Sequence, residues 1–210
     1  MRDVSRLRTT AGLLGAPVRA LVRRSPRLNA VLWDAQYALG MWGYLDEAGD
    51  GSVPLSLIET WAPQPAILDL GCGTSVNLAL RRGRYRHYHG VDISRRAIGT
   101  ARALGRPDAS YAVADIRTYT PPDRYDAILL REVIYYLSVP EAADLLRRLP
   151  GMLTARGRIL VQIYDVQRSR QFVAVIRDCG LEVTTWRPPE TGDAGRDAFF
   201  VLTPAAVAEP

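Results

Sequence analysis

Residues 67–75 constrain the fold of this chain more than any other stretch. They spell Ile-Leu-Asp-Leu-Gly-Cys-Gly-Thr-Ser, a short apolar run that stops at an acid and then turns over two glycines. In an open α/β sheet the ligand crevice lies at the carboxyl ends of the strands, where glycines allow the backbone to approach a ligand and the next helix directs its N-terminus at it. The segment therefore predicts the first strand and ligand-facing turn of a parallel α/β sheet.

A second acid follows at the spacing that a ribose-binding carboxylate needs. Asp92 ends another short apolar run and lies 19 residues after Gly73, close to the roughly 20 residues expected of an acid that contacts ribose hydroxyls. A nicotinamide dinucleotide fingerprint would place a third glycine three residues after Gly73, but that position is Val76. The pattern therefore favours a nucleoside-containing cofactor other than NAD.

The Asp-x-Gly-x-Gly pattern at 69–73 resembles the first motif of the class I, Rossmann-like S-adenosylmethionine-dependent methyltransferases. Residues 114–116, Ala-Asp-Ile, resemble the adenine-contacting turn of that family, and residues 125–137 resemble its fourth strand and the segment after it. The resemblance covers about residues 64–204. It implies a transferase with S-adenosyl-L-methionine as its cofactor.

Alternating apolar and polar runs predict the elements of the fold. Strands and helices alternate from about residue 66, which indicates a parallel sheet with helices on both faces. The last two strands, 181–187 and 198–203, have no helix between them and predict a C-terminal antiparallel hairpin. The fold class is α/β, a Rossmann-like, mostly parallel seven-stranded sheet. The other expected elements are strands at 66–70, 88–92, 110–114, 125–130 and 157–164, and helices at 75–82, 94–104, 139–149 and 168–179.

The domain organisation expected is an N-terminal helical extension or lid over 1–62, a cofactor-binding domain over 63–204 and a frayed tail over 205–210. A helix should begin at Pro26 and run to about residue 44, and another should span about 54–61. The first would align Trp33, Tyr37, Gly40 and Tyr44 on one face. This aromatic stripe is either plain core or a lid over the mouth of the cofactor site, to which 187–197 would add.

The resemblance implies a cofactor pocket in three parts. Asp69 and the backbone of the glycine turn would hold the methionine end, Asp92 would accept the ribose hydroxyls, and Asp115 with two isoleucines would bracket adenine. The alternative for Asp92 is a helix N-cap. The cofactor-binding residues expected are Asp69, Gly71, Cys72, Gly73, Asp92, Ile93, Asp115, Ile116, Arg131, Tyr37 and Trp42.

The segment after the fourth strand should supply the polar groups beside the methyl group. Glu132 is the first candidate for acceptor contact or general base and Tyr136 the second; the alternatives are a Glu paired with a neighbouring Arg and a Tyr packed in the core. Methyl transfer depends chiefly on alignment and exclusion of water, and a base adds roughly 10² to 10⁴ in rate for an alcohol acceptor. The Pro-Pro-aromatic box of nucleic-acid amino methyltransferases does not follow this strand, since Pro121 and Pro122 precede it.

Histidines and acids give no metal-binding pattern. His87 and His89 lie at the start of the second strand, away from the crevice, so a surface or hydrogen-bonded role is expected for both. Glu132 and Asp165 match poorly the acids of metal-dependent family members. Metal-independent transfer is therefore expected.

Charge and composition limit the classes of partner and the compartment expected for this chain. The chain has 210 residues and a formal charge of +5, and its first thirty residues hold seven arginines and a single acid, Asp3. The leading interpretation is methylation of a hydroxyl or amine on a small metabolite; the alternatives are an RNA methyltransferase that uses the basic arm and a non-catalytic scaffold that binds the cofactor. Cys72 and Cys179 suit no disulfide framework, and no apolar stretch is long enough for a membrane span. A cytoplasmic protein is expected, with a homodimer as a candidate assembly.

Overall fold

A computed structural model describes residues 25–42, 51–76, 83–187 and 197–205. The strands in these ranges are β1 (Ala66–Leu70), β2 (His87–Asp92), β3 (Ala109–Val113), β4 (Tyr125–Arg131), β5 (Leu153–Ile163), β6 (Glu182–Trp186) and β7 (Ala198–Thr203). They form one seven-stranded sheet in the order β3-β2-β1-β4-β5-β7-β6. The predicted sheet and its number of strands are confirmed.

Strand direction follows the predicted topology. Strands β1 to β5 are paired in parallel, whereas β7 runs antiparallel to both β5 and β6. The chain passes from β1 outward to β3 and then crosses back to add β4 on the other side of β1. The carboxyl ends of β1 and β4 therefore flank a topological switch point, which is where ligands bind in open α/β sheets.

Helices cover both faces of the sheet and bury its apolar strands. All five residues of β1 are buried. The described α-helices are α1 (Pro26–Ala38), α2 (Ser52–Glu59), α3 (Arg95–Ala103), α4 (Val139–Arg148) and α5 (Arg170–Arg177). One face of the sheet packs with α4 and α5 through residues such as Leu145 and Phe172, and the other packs with α2 through Leu55 and Ile58.

The first helix is shorter than the sequence predicts. It begins as expected, with Ser25 as N-cap and Pro26 at its first position, but it ends at Ala38 and not near residue 44. Gly40 has a φ of +65°, which a helix does not accommodate. Four predicted features lie wholly or mostly outside the described residues: Tyr44, the helix expected at 75–82, the 187–197 segment and the tail.

Strand β5 begins four residues before its predicted start at Gly157. The register with β4 shifts between Tyr125 and Ala127. A Cβ on Gly157 would lie 2.6 Å from the carbonyl oxygen of Tyr125. This glycine is thus a site of close backbone approach within the strand and not a strand boundary.

Candidate active site

The glycine turn after β1 is contacted closely from two directions. Gly71 has a φ of +83° and Gly73 a φ of +55°, values that favour glycine. A Cβ on Gly71 would lie 2.3 Å from Cγ2 of Val133, and one on Gly73 would lie 2.7 Å from the hydroxyl oxygen of Tyr37. The segment after β4 and helix α1 therefore both reach the turn, and the glycines are needed for space as well as for backbone conformation.

The N–H groups of this turn are already engaged within the protein. Gly71 and Cys72 both donate to the carbonyl oxygen of Val91, at 2.7 and 3.1 Å, and Gly73 donates to Oδ2 of Asp92 at 3.0 Å. Burial raises the pKa of the Cys72 thiol, which keeps the side chain neutral. The turn is therefore not a cradle of free N–H groups for an anion.

Asp92 joins two loops at the carboxyl edge of the sheet. Its Oδ2 accepts from Gly73 N, while its Oδ1 accepts from Ser94 N at 2.8 Å. Ser94 is itself the N-cap of α3, because its side chain accepts from Ala97 N, so the interpretation of Asp92 as the cap is wrong. Burial raises the pKa of Asp92. Since a carboxylate has about four acceptor positions, lone pairs remain for ligand hydroxyls.

Asp69 is a buried carboxylate with one unengaged oxygen. Only 3% of the residue is exposed, and its Oδ2 accepts from the hydroxyl of Tyr88 at 2.7 Å. Its Oδ1 has no hydrogen-bond partner among the residues that the structure describes. Burial raises the pKa of Asp69 to about 6, although the hydrogen bond from Tyr88 and the charge of Arg131 oppose the shift. A buried acceptor of this kind favours a cationic or hydrogen-bond-donating ligand group.

The turn after β3 is held by an ion pair. Arg117 donates to Asp115 from Nε to both carboxylate oxygens at 2.9 Å, and from its backbone N at 3.0 Å. Its Nη1 also reaches Oε1 of Glu141 at 2.8 Å. Ile116 is 7% exposed and belongs to the hydrophobic core, whereas Ile93 is half-buried. The structure assigns Asp115 a role in shaping the turn, and its contact with a base stays a prediction.

The residue after β4 is in an uncommon backbone conformation. Glu132 has a φ of +55°, a region that costs a non-glycine residue on the order of 1–3 kcal/mol and is found mainly at functional sites. Its carboxylate accepts from the hydroxyl of Tyr135, and Arg131 donates to Oε1 of Gln162 at 3.2 Å. The roles of Glu132 as an acceptor contact or as the partner of an arginine both stay predictions.

Aromatic side chains connect this segment to helix α1. The ring centroid of Tyr136 lies 5.0 Å from that of Trp33 and 6.1 Å from that of Trp42, edge-on in both cases. The two tryptophans lie 5.3 Å apart, and Tyr37 lies 6.5 Å from Trp42. All four side chains are half-buried, and the choice between a packing role and a lid stays a prediction for the stripe and for Tyr136. We call Trp33, Tyr37, Trp42 and Tyr136 the aromatic cluster.

Helix α1 is also joined to the loop after β2. Oδ1 of Asp34 accepts from Oγ of Ser94 at 2.6 Å and from the backbone N of Arg96 at 3.1 Å. Asp34 thus contacts the same loop that Asp92 organises. Sequence reasoning missed this residue; its position three residues before Tyr37, on the same face of a helix, is the signal that could have found it.

The histidines lie outside the site, as predicted, and are hydrogen-bonded. His89 contacts Oγ of Ser110 and the hydroxyl of Tyr119, both at 2.7 Å, and His87 contacts the same Ser110 at 3.1 Å. Burial lowers the pKa of His89. Within the described ranges, no cluster of three or more His, Cys, Asp or Glu side chains could hold a metal ion. No helix in the same ranges is long and apolar enough to cross a membrane.

Comparison with known proteins agrees with the fold. Residues 67–157 match a family model described as a methyltransferase domain. Two curated relatives are trans-aconitate 2-methyltransferases. The one from Methylobacterium radiotolerans is 37% identical over 113 residues, which are 53% of this chain and 42% of the relative. The one from Escherichia coli is 34% identical over 101 residues, which are 47% and 39% of the two chains. This chain spans less than half the length of either relative.

Solved structures share the architecture at low sequence identity. A TehB-like SAM-dependent methyltransferase from Corynebacterium glutamicum superposes with a TM-score of 0.64 at 22% identity, covering 83% of this chain and 99% of that one. The N-methyltransferase NodS from Bradyrhizobium japonicum, in complex with S-adenosyl-L-homocysteine, gives a TM-score of 0.60 at 16% identity and covers 71% and 83%. Residues 67–157 therefore match a methyltransferase domain, and the chain shares the fold of these solved methyltransferases.

Proposed function

We propose that this protein transfers a methyl group from S-adenosyl-L-methionine to a hydroxyl or amine of a small metabolite. The observation that carries the proposal is the position of Asp92, whose carboxylate links Gly73 to Ser94 at the carboxyl edge of β2. An acid there, next to a glycine turn, can accept hydrogen bonds from a ribose diol. The match of 67–157 to a methyltransferase domain and the names of the relatives support a small acceptor.

The residues present fit such a cofactor. The unengaged Oδ1 of Asp69 suits the ammonium of the methionine end. Tyr37 lies against Gly73, so we propose that it and Trp42 close the pocket from α1. The other proposed contacts are Gly71, Cys72, Ile93, Asp115, Ile116 and Arg131.

When bound, S-adenosylmethionine supplies a methyl group already activated by a sulfonium. The protein must orient the acceptor and exclude water. We propose that Glu132 contacts the acceptor, since its carboxylate is fixed by Tyr135 and the neighbouring Val133 touches the glycine turn. Tyr136 would align the acceptor through its ring, which contacts both tryptophans of the aromatic cluster.

Calorimetry with S-adenosylmethionine and S-adenosylhomocysteine tests the cofactor site. The protein should bind both, and Asp92→Ala should weaken binding at least tenfold while the thermal unfolding midpoint stays near that of the wild type. Asp144→Asn is the matched control, because this carboxylate pairs with Arg147 on the exposed surface of α4. Binding of NAD or a flavin in place of the adenosyl compounds would refute the proposal.

We further propose a small-molecule acceptor in preference to a nucleic acid, a cytoplasmic location and a homodimer. Both cysteines are free thiols, which suits a reducing compartment. The arginine-rich first 24 residues lie outside the described ranges. Light scattering should give twice the chain mass. Binding of RNA more tightly than any small acceptor would favour an RNA methyltransferase. Cofactor binding without turnover of any acceptor would favour a non-catalytic scaffold.

A further inference from the structure

We propose that Asp34 is a positioning residue, which holds Asp92 ready for the ribose hydroxyls of the cofactor and acts through Ser94. This inference rests on the proposed methyl transfer and deepens it, because it gives a role to a residue outside the proposed cofactor contacts. It follows from a continuous set of hydrogen bonds that runs from helix α1 through Ser94 and Asp92 to the glycine turn.

The hydrogen bonds of Asp34 join two separate elements. Its Oδ1 accepts from the hydroxyl of Ser94 at 2.6 Å and from the backbone N of Arg96 at 3.1 Å. Ser94 is fully buried, whereas α1, described over its whole length, has no buried residue. Asp34 therefore reaches from a surface helix to a buried hydroxyl sixty residues further along the chain. A carboxylate that served only to keep the surface soluble would have no need of this contact.

Ser94 connects Asp34 to Asp92. The hydroxyl of Ser94 donates to Asp34 and accepts from Ala97 N at 3.1 Å, so its orientation is fixed from both sides. The backbone N of Ser94 donates to Oδ1 of Asp92 at 2.8 Å, while Oδ2 of Asp92 accepts from Gly73 N at 3.0 Å. Two loops therefore fix the carboxylate of Asp92, and Asp34 holds one of them.

Loss of Asp34 would release two donors beside Asp92. The Ser94 hydroxyl and Arg96 N lie at the first turn of α3, where N–H groups lack partners within the helix. The buried hydroxyl has no water to turn to, and an unpaired buried donor is unfavourable. Asp92 is the carboxylate already bonded to Ser94, so we expect the released donors to turn to it. Asp34 thus keeps the lone pairs of Asp92 available to a ribose diol.

Ligands with and without the ribose hydroxyls test the inference. The probes are S-adenosylhomocysteine and its 2′,3′-dideoxyribose analogue, titrated by calorimetry into the full chain. The wild type should bind the first about tenfold more tightly, because hydrogen bonds to a carboxylate are strong. Asp34→Ala should lower the affinity for S-adenosylhomocysteine about tenfold and that for the analogue less than about threefold. Retained binding of the analogue also shows that the variant is folded.

Two results of this titration would overturn the inference. Equal losses of affinity for both ligands would show that Asp34 holds α1 in place and has no particular effect on the diol. No loss for either ligand would show that Asp34 has no role in binding. Asp144→Ala is the matched control, since it is the same truncation on the exposed surface of α4 and should change neither affinity.

Two further variants test the path through Ser94. Asp34→Asn keeps an acceptor oxygen of the same shape, so its affinity for S-adenosylhomocysteine should stay within about threefold of the wild type. Asp34→Ala combined with Ser94→Ala should cost less than the product of the two single losses, because both changes act on one set of hydrogen bonds. Failure of Asp34→Asn to retain binding, or independent losses in the double variant, would overturn the inference.

The same titrations separate this inference from the proposed function. If the wild type binds S-adenosylhomocysteine but Asp34→Ala keeps the full preference for the ribose hydroxyls, the inference fails and the proposed function stands. If the wild type binds neither S-adenosylmethionine nor S-adenosylhomocysteine, the proposed function itself fails.

Discussion

Replacement of Gly71 by alanine should destabilise the protein through two separable effects. The first is conformational, since φ at this residue is +83° and a left-handed backbone costs an L-residue roughly 1–2 kcal/mol. The second is steric, since the new Cβ would lie 2.3 Å from Cγ2 of Val133 and such overpacking costs about 1–3 kcal/mol. The unfolding free energy should therefore fall by about 2–5 kcal/mol.

Gly180→Ala isolates the conformational effect. Gly180 has a φ of +80°, and a Cβ there would meet no atom within 4 Å, so this variant should lose only about 1–2 kcal/mol. The double variant Gly71→Ala with Val133→Ala should relieve most of the contact at the glycine turn. Urea unfolding followed by circular dichroism provides the free energies of unfolding for all four proteins.

The two glycine variants should also differ in ligand binding. Val133 adjoins Glu132, so Gly71→Ala should displace the segment after β4 and weaken S-adenosylhomocysteine binding at least tenfold, while Gly180→Ala binds as the wild type does. Equal destabilisation of the two single variants would refute the steric argument. Normal ligand binding by Gly71→Ala would refute the placement of this turn in the cofactor site.

Two further predictions concern charge. The pKa of Asp69 is raised to about 6 from 3.8, so the folded state holds this proton to a higher pH than the unfolded state does. As the pH rises from about 4 through 6, the wild type should therefore lose on the order of 3 kcal/mol of stability relative to Asp69→Asn. Urea unfolding at each pH measures the difference, and parallel stability curves for the two proteins would contradict the prediction. Arg117→Leu should cost about 3–5 kcal/mol, because it leaves the carboxylate of Asp115 uncompensated with a side chain only 15% exposed,. Arg147→Leu, whose pair with Asp144 is more than 60% exposed, should change stability by about 1 kcal/mol or less, and equal losses would show that burial does not decide the cost.

Local pattern was sufficient for most of the fold. Strand β1 is buried over its whole length and β7 was found at its predicted residues, because short continuous apolar runs between turn residues identify buried strands. The boundaries of helices and strands were less well predicted. The C-terminus of α1 depends on Gly40, whose left-handed conformation cannot be read from an apolar periodicity, and the start of β5 was obscured by Gly157, which fits the strand because a neighbouring backbone approaches it.

Some features of the candidate site could likewise be predicted from the sequence, and others could not. Sequence alone determined which acids and glycines end strands β1 and β2, since their order and spacing are properties of the chain. Only the tertiary structure decided that Ser94 and not Asp92 caps α3, that Arg117 engages Asp115, and that the aromatic cluster joins α1 to the segment after β4. These contacts are hydrogen bonds and ring contacts between different elements of the fold. Their partners depend on how the helices and strands pack together, and the spacing of residues along the chain does not contain that information.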